Sequence, residues 1–496
     1  MRMKTKVLLL FITLIVLQVT ASESLTSSTP VPLNNSILFN NVIKSNPLLH
    51  SERSIRSQSS PLLSLQPKWI WAGSDEVLLS LTLGDFDGDQ HLDVVAGASS
   101  NVFTIDGRTG QTIWNNTDPV GPIFSLSVGN LDGDATEDVI AGGWDHNITA
   151  IRGTTGSLLW KFGGKSNSTP QEWIRTTKTA DFNGDGIDDV IAGSDDWHIY
   201  CIDGTNGTLL WRRPEEEIVM NVPYAIAIGD LDNDSRNDIV IGDGSNVYGY
   251  RGVDGGLMWQ NNAPGARVWS LLVADINKDR LPEVIAASAD GKIYAFEGRT
   301  GKKIWRFTAA GVVQSIALGD FDGDGVQNDI LTGSYNHTVY TINGMDGFEI
   351  WRNIEVNGWV RLVRTGDFNS DGISDAVIGA SDNTIYVIDG KTAEILTTIS
   401  TFNSITELVV ADVETDGFLD LIFTDGVALR CFTTGGDMLF TESTSPLIPT
   451  NEFAMLGAMP LLTLAVLSFL VGVKRRKLRR VKKSSGLSFN TRKPKL

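Results

Sequence analysis

Three observations predict an all-β chain folded as an eight-bladed β-propeller, with seven blades as the alternative. An acidic segment of nine or ten residues recurs eight times, and successive copies begin 45 to 51 residues apart. A fixed period in this range marks a repeat architecture. Between copies lie short β-rich runs bounded by Gly, Asn and Asp. A tight turn ending in tryptophan also recurs once per period.

One period is enough to count strands. In residues 123–162, "IFSLSVG" is a strand leading into the acidic segment, and "DVIAGG" is the strand leaving it. "HNITAIRG" makes a third, "TTG" a turn, and "SLLWKF" a fourth. Runs of this length and composition are strands and hairpins. Four of them in tandem repetition describe the blade of a propeller.

The fourth strand carries the tryptophan signature. "DGRTGQTIW" recurs in degenerate form and places Trp114, Trp160, Trp211, Trp259, Trp305 and Trp351 in register. The glycines supply the positive φ that the turn requires, and the indole is large enough to cover a seam between blades. Leu396 stands near that position in blade seven and Phe440 in blade eight. "PKWIW" ahead of the first acidic segment puts Trp69 in the same register, so this early strand is expected to complete the last blade and latch the ring.

The acidic segments fall between the first two strands of each blade, with oxygen-bearing side chains at positions 1, 3, 5 and 9. The sets are Asp85, Asp87, Asp89 and Asp93; Asn130, Asp132, Asp134 and Asp138; Asp181, Asn183, Asp185 and Asp189; and Asp230, Asp232, Asp234 and Asp238. The remaining four are Asp275, Asn277, Asp279 and Glu283; Asp320, Asp322, Asp324 and Asp329; Asp367, Asn369, Asp371 and Asp375; and Asp412, Glu414, Asp416 and Asp420. Calcium takes about six to eight oxygens at roughly 2.3–2.6 Å, and a tight loop with this spacing can wrap them round one ion. Carboxylates forced together without a cation repel. Up to eight Ca²⁺ are therefore expected. Loops five, six and eight are the weakest candidates: Glu283 follows a proline, an extra residue precedes Asp329, and Glu414 stands at position 3. An EF-hand needs flanking helices and a glutamate at position 12, and these segments lie between strands.

The sequences "SVGNLDGDATEDVIAGG" and "ALGDFDGDGVQNDILTGS" resemble FG-GAP (VCBS-type) repeats, as in integrin α-subunit propellers. The "DGxTGxxxW" runs resemble the blades of quinoprotein (PQQ-like) propellers. Together the resemblances cover about 67–440. The first implies calcium in the loop joining the first two strands of each blade, on the lower face, with partners met on the upper face. The second implies blade architecture only. The adjacent cysteine pair of some quinone-dependent dehydrogenases is absent, and no PQQ is expected.

The ends of the chain carry an address. Residues 1–21 have a basic start, an apolar run and a small-residue exit, the pattern of a secretory signal. Residues 22–66 are Ser- and Asn-rich without periodicity and are expected to be disordered; 441–452 form a short stalk. Residues 453–473 are uncharged for a length that spans a bilayer, and the basic tail 474–496 follows, which sets the propeller outside the cell. Seven Asn-x-Ser/Thr sequons fit an exported glycoprotein. Outside the leader and tail, 27 basic residues face 59 acidic ones, which excludes a nucleic-acid partner. Cys201 and Cys431 occupy the same place in distant repeats and are expected to be separate buried thiols.

A partner surface is expected opposite the acidic loops. Six residues before each loop stand Leu79, Phe124, Arg175, Tyr224, Trp269, Gln314, Arg361 and Thr406, a mixture of aromatic, basic and amide groups above aliphatic core positions. Aromatic and Arg side chains are favoured anchors. Long loops precede blades three and four, and the nearby hairpins add Trp144, His146, Trp197 and His198. These observations predict a binding surface over blades two to four, with Phe124, Trp144, Arg175, Trp197, Tyr224, Trp269 and Arg361 as its residues. Packing of these rim residues on neighbouring loops is the plainer alternative. A metal site built on His146, His198 and His337 is a weaker alternative, because hairpin tips account for such residues and blades two, three and six are not all neighbours. No nucleophile elbow, His-Glu-x-x-His or phosphate loop occurs. The expected function is that of a membrane-anchored, calcium-binding surface module for a protein or glycan. An extracellular polysaccharide-acting, lyase-like enzyme and a scaffold for envelope-protein assembly are the alternatives.

Overall fold

A computed structural model describes residues 63–434, apart from 74–75, 135, 164–168, 171 and 215–220. The leader, most of the Ser/Asn-rich segment, Phe440, the stalk, the apolar stretch and the basic tail lie outside the described residues. Among the described residues no helix is long and apolar enough to cross a membrane.

Thirty-two strands form eight four-stranded antiparallel sheets, which decides between seven and eight blades. Blade two runs Ile123–Gly129, Asp138–Gly143, Ile148–Ile151 and Leu158–Phe162, matching the expected division. Blade eight is composite. Its inner three strands, Glu407–Ala411, Asp420–Thr424 and Leu429–Thr433, are completed by Gln66–Trp71 from the start of the ring. Each inner strand touches the inner strands of both neighbouring blades, so the circle is closed.

Eight clusters of buried apolar side chains fill the eight seams between blades. The second strand of each blade is buried along its whole length, because both of its faces meet neighbouring sheets. The tryptophans sit at the outer edge of the seams. Each indole Nε1–H donates to a glycine carbonyl in the next blade: Trp69 to Gly107, Trp114 to Gly153, Trp160 to Gly204, Trp211 to Gly252, Trp259 to Gly298, Trp305 to Gly344 and Trp351 to Gly390. The ring also lies against a left-handed residue of that blade's turn; a Cβ on Gly347 would stand 2.7 Å from the Trp305 ring. Only glycine makes that approach without strain. Blade seven departs from the pattern in its turn, where Ala393 holds φ 61°.

The outer strand of every blade has a bulge just before the tryptophan position. In blade seven this corrects the expected register. Thr397, opposite Val387, is the counterpart of the tryptophan, and Leu396 is the bulged residue that precedes it. Seven of the eight seams therefore carry the indole contact, and the seam between blades seven and eight does not. Cys201 and Cys431 are buried, free thiols.

Candidate functional site

The acidic loops share one backbone path. Position 4 is left-handed in all eight, at Gly88, Gly133, Gly184, Asn233, Lys278, Gly323, Ser370 and Thr415. The position-1 side chain accepts hydrogen bonds from loop N–H groups: Asp85 from Gly88 and Gln90, and Asp320 from Gly323 and Gly325. Position 2 is apolar and buried, as with Phe86 and Leu131, and enters the next seam. Positions 1, 3, 5 and 9 alone do not reveal this residue, although an apolar side chain at one fixed place in an acidic segment is a signal of burial.

The ninth-position carboxylate does structural work in every loop. Asp93 accepts Phe86 N–H on one oxygen and Gly107 N–H on the other, at 3.0 and 3.3 Å. Gly107 is the residue whose carbonyl receives the Trp69 indole, so loop, turn and neighbouring blade form one chain of hydrogen bonds. Asp138, Asp189, Asp238, Asp329 and Asp375 repeat both backbone contacts. Burial is the main cause that pushes these carboxyls up. Asp93, Glu283 and Asp375 reach about 7, Asp138, Asp189, Asp238 and Asp329 reach about 6, and Asp420 is also raised. The backbone N–H groups pull the other way.

The loops differ in how well their oxygens suit a divalent cation. Oxygens of Asp85, Asp87 and Asp93, of Asp230, Asp232 and Asp234, and of Asp320, Asp322 and Asp329 lie within 4.8 Å of one another. Loop six is thus among the best assembled, against expectation. Its extra residue is taken up around Val326–Asn328, and Asp329 keeps the contacts of its counterparts. Loops three, five and seven have Asn at position 3, and the amides of Asn183, Asn277 and Asn369 donate to the ninth-position carboxylate. In loop two, Arg152 pairs with Asp132 and Asp134. Loop eight holds a cation of its own: Lys68 Nζ is 2.9 Å from Glu414 and 3.6 Å from Asp420. Lys68 is the bulged residue of the latch strand, where the other seven blades carry an apolar side chain. Asp89, Asp134, Asp185, Asp279, Asp324, Asp371 and Asp416, at position 5, each accept an N–H two residues on through one oxygen.

The opposite face carries three aromatic groups at alternate seams. Between blades two and three, Trp144 stacks on Trp173 with centroids 4.2 Å apart, and Phe124 lies 6.1 Å from Trp173. Arg175 lies over both Phe124 and Trp173 and makes a two-pronged bond to Asp195 at 2.7 Å. Its guanidinium is held by Asp195, so Arg175 fixes the rings in place. Between blades four and five, Arg267 lies over Tyr224 and Trp269, and Trp269 Nε1 is buried with no hydrogen-bond partner among the described residues. Between blades six and seven, Tyr335 stacks on Trp359, and Arg361 stands exposed on the same strand end. Trp173, Arg267 and Trp359 were missed, yet each stands two residues before a marked position, on the same side of an extended chain.

Trp197 is 58% exposed at a hairpin tip with φ 73°. His146 and His337 hold left-handed hairpin positions as well, and no histidine joins a candidate metal cluster among the described residues.

Comparisons with known proteins agree with this architecture. Residues 181–241 match the FG-GAP-like repeat, and residues 239–317 match the lambda-carrageenase beta-propeller domain. The chain is an eight-bladed β-propeller with FG-GAP-like repeats. No curated protein matches it by sequence. Among solved structures, Sqt1 of Saccharomyces cerevisiae is similar at 11% identity and TM-score 0.61, covering 75% of this chain and 100% of that one. The computationally designed protein Ika8 is similar at 18% identity and TM-score 0.56, covering 74% and 99%. These likenesses concern the fold.

Proposed function

We propose that this protein is a calcium-stiffened propeller, displayed outside the cell on a C-terminal membrane anchor, that binds an extracellular glycan through its upper face. The observation that carries the reading is the exposed aromatic surface over blades two and three, where Trp144 is 38% and Trp197 is 58% exposed. Trp197 gains little burial at its hairpin tip, and a large exposed indole on a loop of a rigid scaffold favours a role in contact. Stacked rings held in place by Arg175 offer flat apolar faces to sugar rings. A protein ligand would meet the same surface and is the alternative outcome of the test.

Loops one, four and six are the first candidates for calcium, since their oxygens converge. The ion would be held by Asp85, Asp87 and Asp93 and their counterparts, and it would supply charge compensation and stiffness. Loop eight fits poorly, because an ammonium already stands between its carboxylates.

The match to a carrageenase propeller favours a polysaccharide ligand and keeps an enzymatic reading in second place. Glycan-array binding by the full-length chain in millimolar calcium tests the primary one. Trp144→Ala with Trp197→Ala should abolish binding to the glycans that wild type selects. Undiminished binding would overturn the surface assignment, and an ultraviolet-absorbing unsaturated product from an acidic glycan would favour the enzyme.

A further inference from the structure

We propose that the centre of the ring is a binding site for an oxyanion, a carboxylate, sulfate or phosphate group, held between Lys178 and Arg364. Both residues stand three positions before the acidic loop, in blades three and seven, which face each other across a ring of eight. In the other six blades this position carries Thr82, Ser127, Ala227, Leu272, Ala317 and Val409, none of them charged. The two long cations therefore stand on opposite sides of the ring's centre, at a position that is otherwise small or apolar, and Arg364 acts electrostatically on Lys178.

The two ends of the site differ in how they are held. Arg364 is oriented by its neighbours: Nη2 donates to Glu407 Oε1 at 2.7 Å and Nη1 donates to the Val363 carbonyl at 2.8 Å. Lys178 makes no ion pair among the described residues, and it is the exposed residue of its strand, so solvent reaches it within the channel. The surrounding wall of the ring limits hydration of its ammonium although water touches it, which pushes it down, and the charge of Arg364 adds to that. An unpaired cation facing a second cation is a cost to the folded state. The group that removes the cost is an anion between them.

Charge balance supports the assignment. The whole chain carries a formal net charge of −18, yet this level of the inner strands holds two cations and one carboxylate, Glu407, with Glu137 and Asp188 placed at the lower strand ends beside Gly84 and Gly129. Glu407 is itself pushed up by burial, with Arg364 and then Arg361 opposing the shift. Arg361, exposed at the upper end of the same strand as Arg364, makes the approach from the upper face basic as well. The oxyanion has two possible sources: a free ion, or the acidic substituent of a glycan seated on the upper face. The second rests on the proposed function, and the first stands without it.

Calorimetric titration of the full-length chain with inorganic sulfate, in calcium and a buffer free of other oxyanions, is the test. Wild type should bind, and Lys178→Met should weaken sulfate affinity tenfold or more. In sulfate-free buffer the same variant should melt no lower than wild type, since it removes an unpaired charge. Glu407→Gln should tighten binding by leaving Arg364 free for the ligand. A second arm compares oligogalacturonate with its methyl ester: a Lys178→Met defect confined to the acid form assigns the group to a bound sugar chain. Sulfate binding that survives Trp144→Ala keeps the channel site even if the upper-face reading fails. Wild-type affinity in Lys178→Met for both sulfate and the acid oligosaccharide overturns the proposal, as does wild-type protein that binds neither.

Discussion

Lys68→Met is the substitution whose effect can be worked furthest from the structure. The Lys68 side chain is 5% exposed, with Asp420 at 2% and Glu414 at 26%. Breaking a buried ion pair by removing one partner costs about 3–5 kcal/mol. Solvent at Glu414 screens part of this, so about 3 kcal/mol is expected. Unfolding entropy of about 2.1 cal/mol/K per residue over about 360 described residues gives roughly 0.8 kcal/mol/K, and therefore a drop of about 4 °C in melting temperature. Scanning calorimetry in EDTA reads this directly, and limited proteolysis near Gln66 reports whether the latch strand has loosened. Millimolar calcium should then recover much of the loss, since Asp412, Glu414, Asp416 and Asp420 are left as an ordinary acidic loop. A melting temperature within about 1 °C of wild type in EDTA would refute the assignment of Lys68 as the resident cation.

Other outcomes follow from the same contacts. Asp93, Glu283 and Asp375 have folded pKa values raised to about 7. The native state thus holds protons that the unfolded chain releases above about pH 4, and this contribution is complete below that pH and lost as pH rises through 7. In EDTA the protein should melt higher at pH 5 than at pH 8, and calcium should raise the melting temperature more at pH 8 than at pH 5. Trp305→Phe keeps most of the buried area but leaves the Gly344 carbonyl without its donor, 2.8 Å away in wild type; denaturant unfolding should show a loss of about 1–2 kcal/mol. Ala393→Gly should stabilise by about 0.5–1 kcal/mol in the same assay, because glycine relieves left-handed strain at φ 61° and gives back part in chain entropy.

The period and the tryptophan register were readable because they repeat, and eightfold repetition averages out local irregularity. That gave the blade count, the strand divisions and the composite last blade. What stayed hidden was pairwise and specific. Lys68 looks like any charged residue beside a proline, because its partners Glu414 and Asp420 lie at the far end of the chain. Arg175 looks like a free anchor until Asp195 is seen holding it. Asp329 seemed displaced by one residue of sequence, but a loop can absorb an insertion away from the bond that matters. The ninth-position carboxylates were read as ligands alone, since the glycine N–H groups that bind them follow in a separate turn.

The pairing of Gln66–Trp71 with Leu429–Thr433 also governs when the molecule can finish folding. The first strand of the propeller has to wait for the last, and until then Gln66–Trp71 is an unpaired strand with both edges open. Local hairpins and early seams can form during translation, whereas closure reports that all eight blades have arrived. A prematurely terminated product would leave both edges unsatisfied, and exposed edges of that kind invite aggregation or disposal.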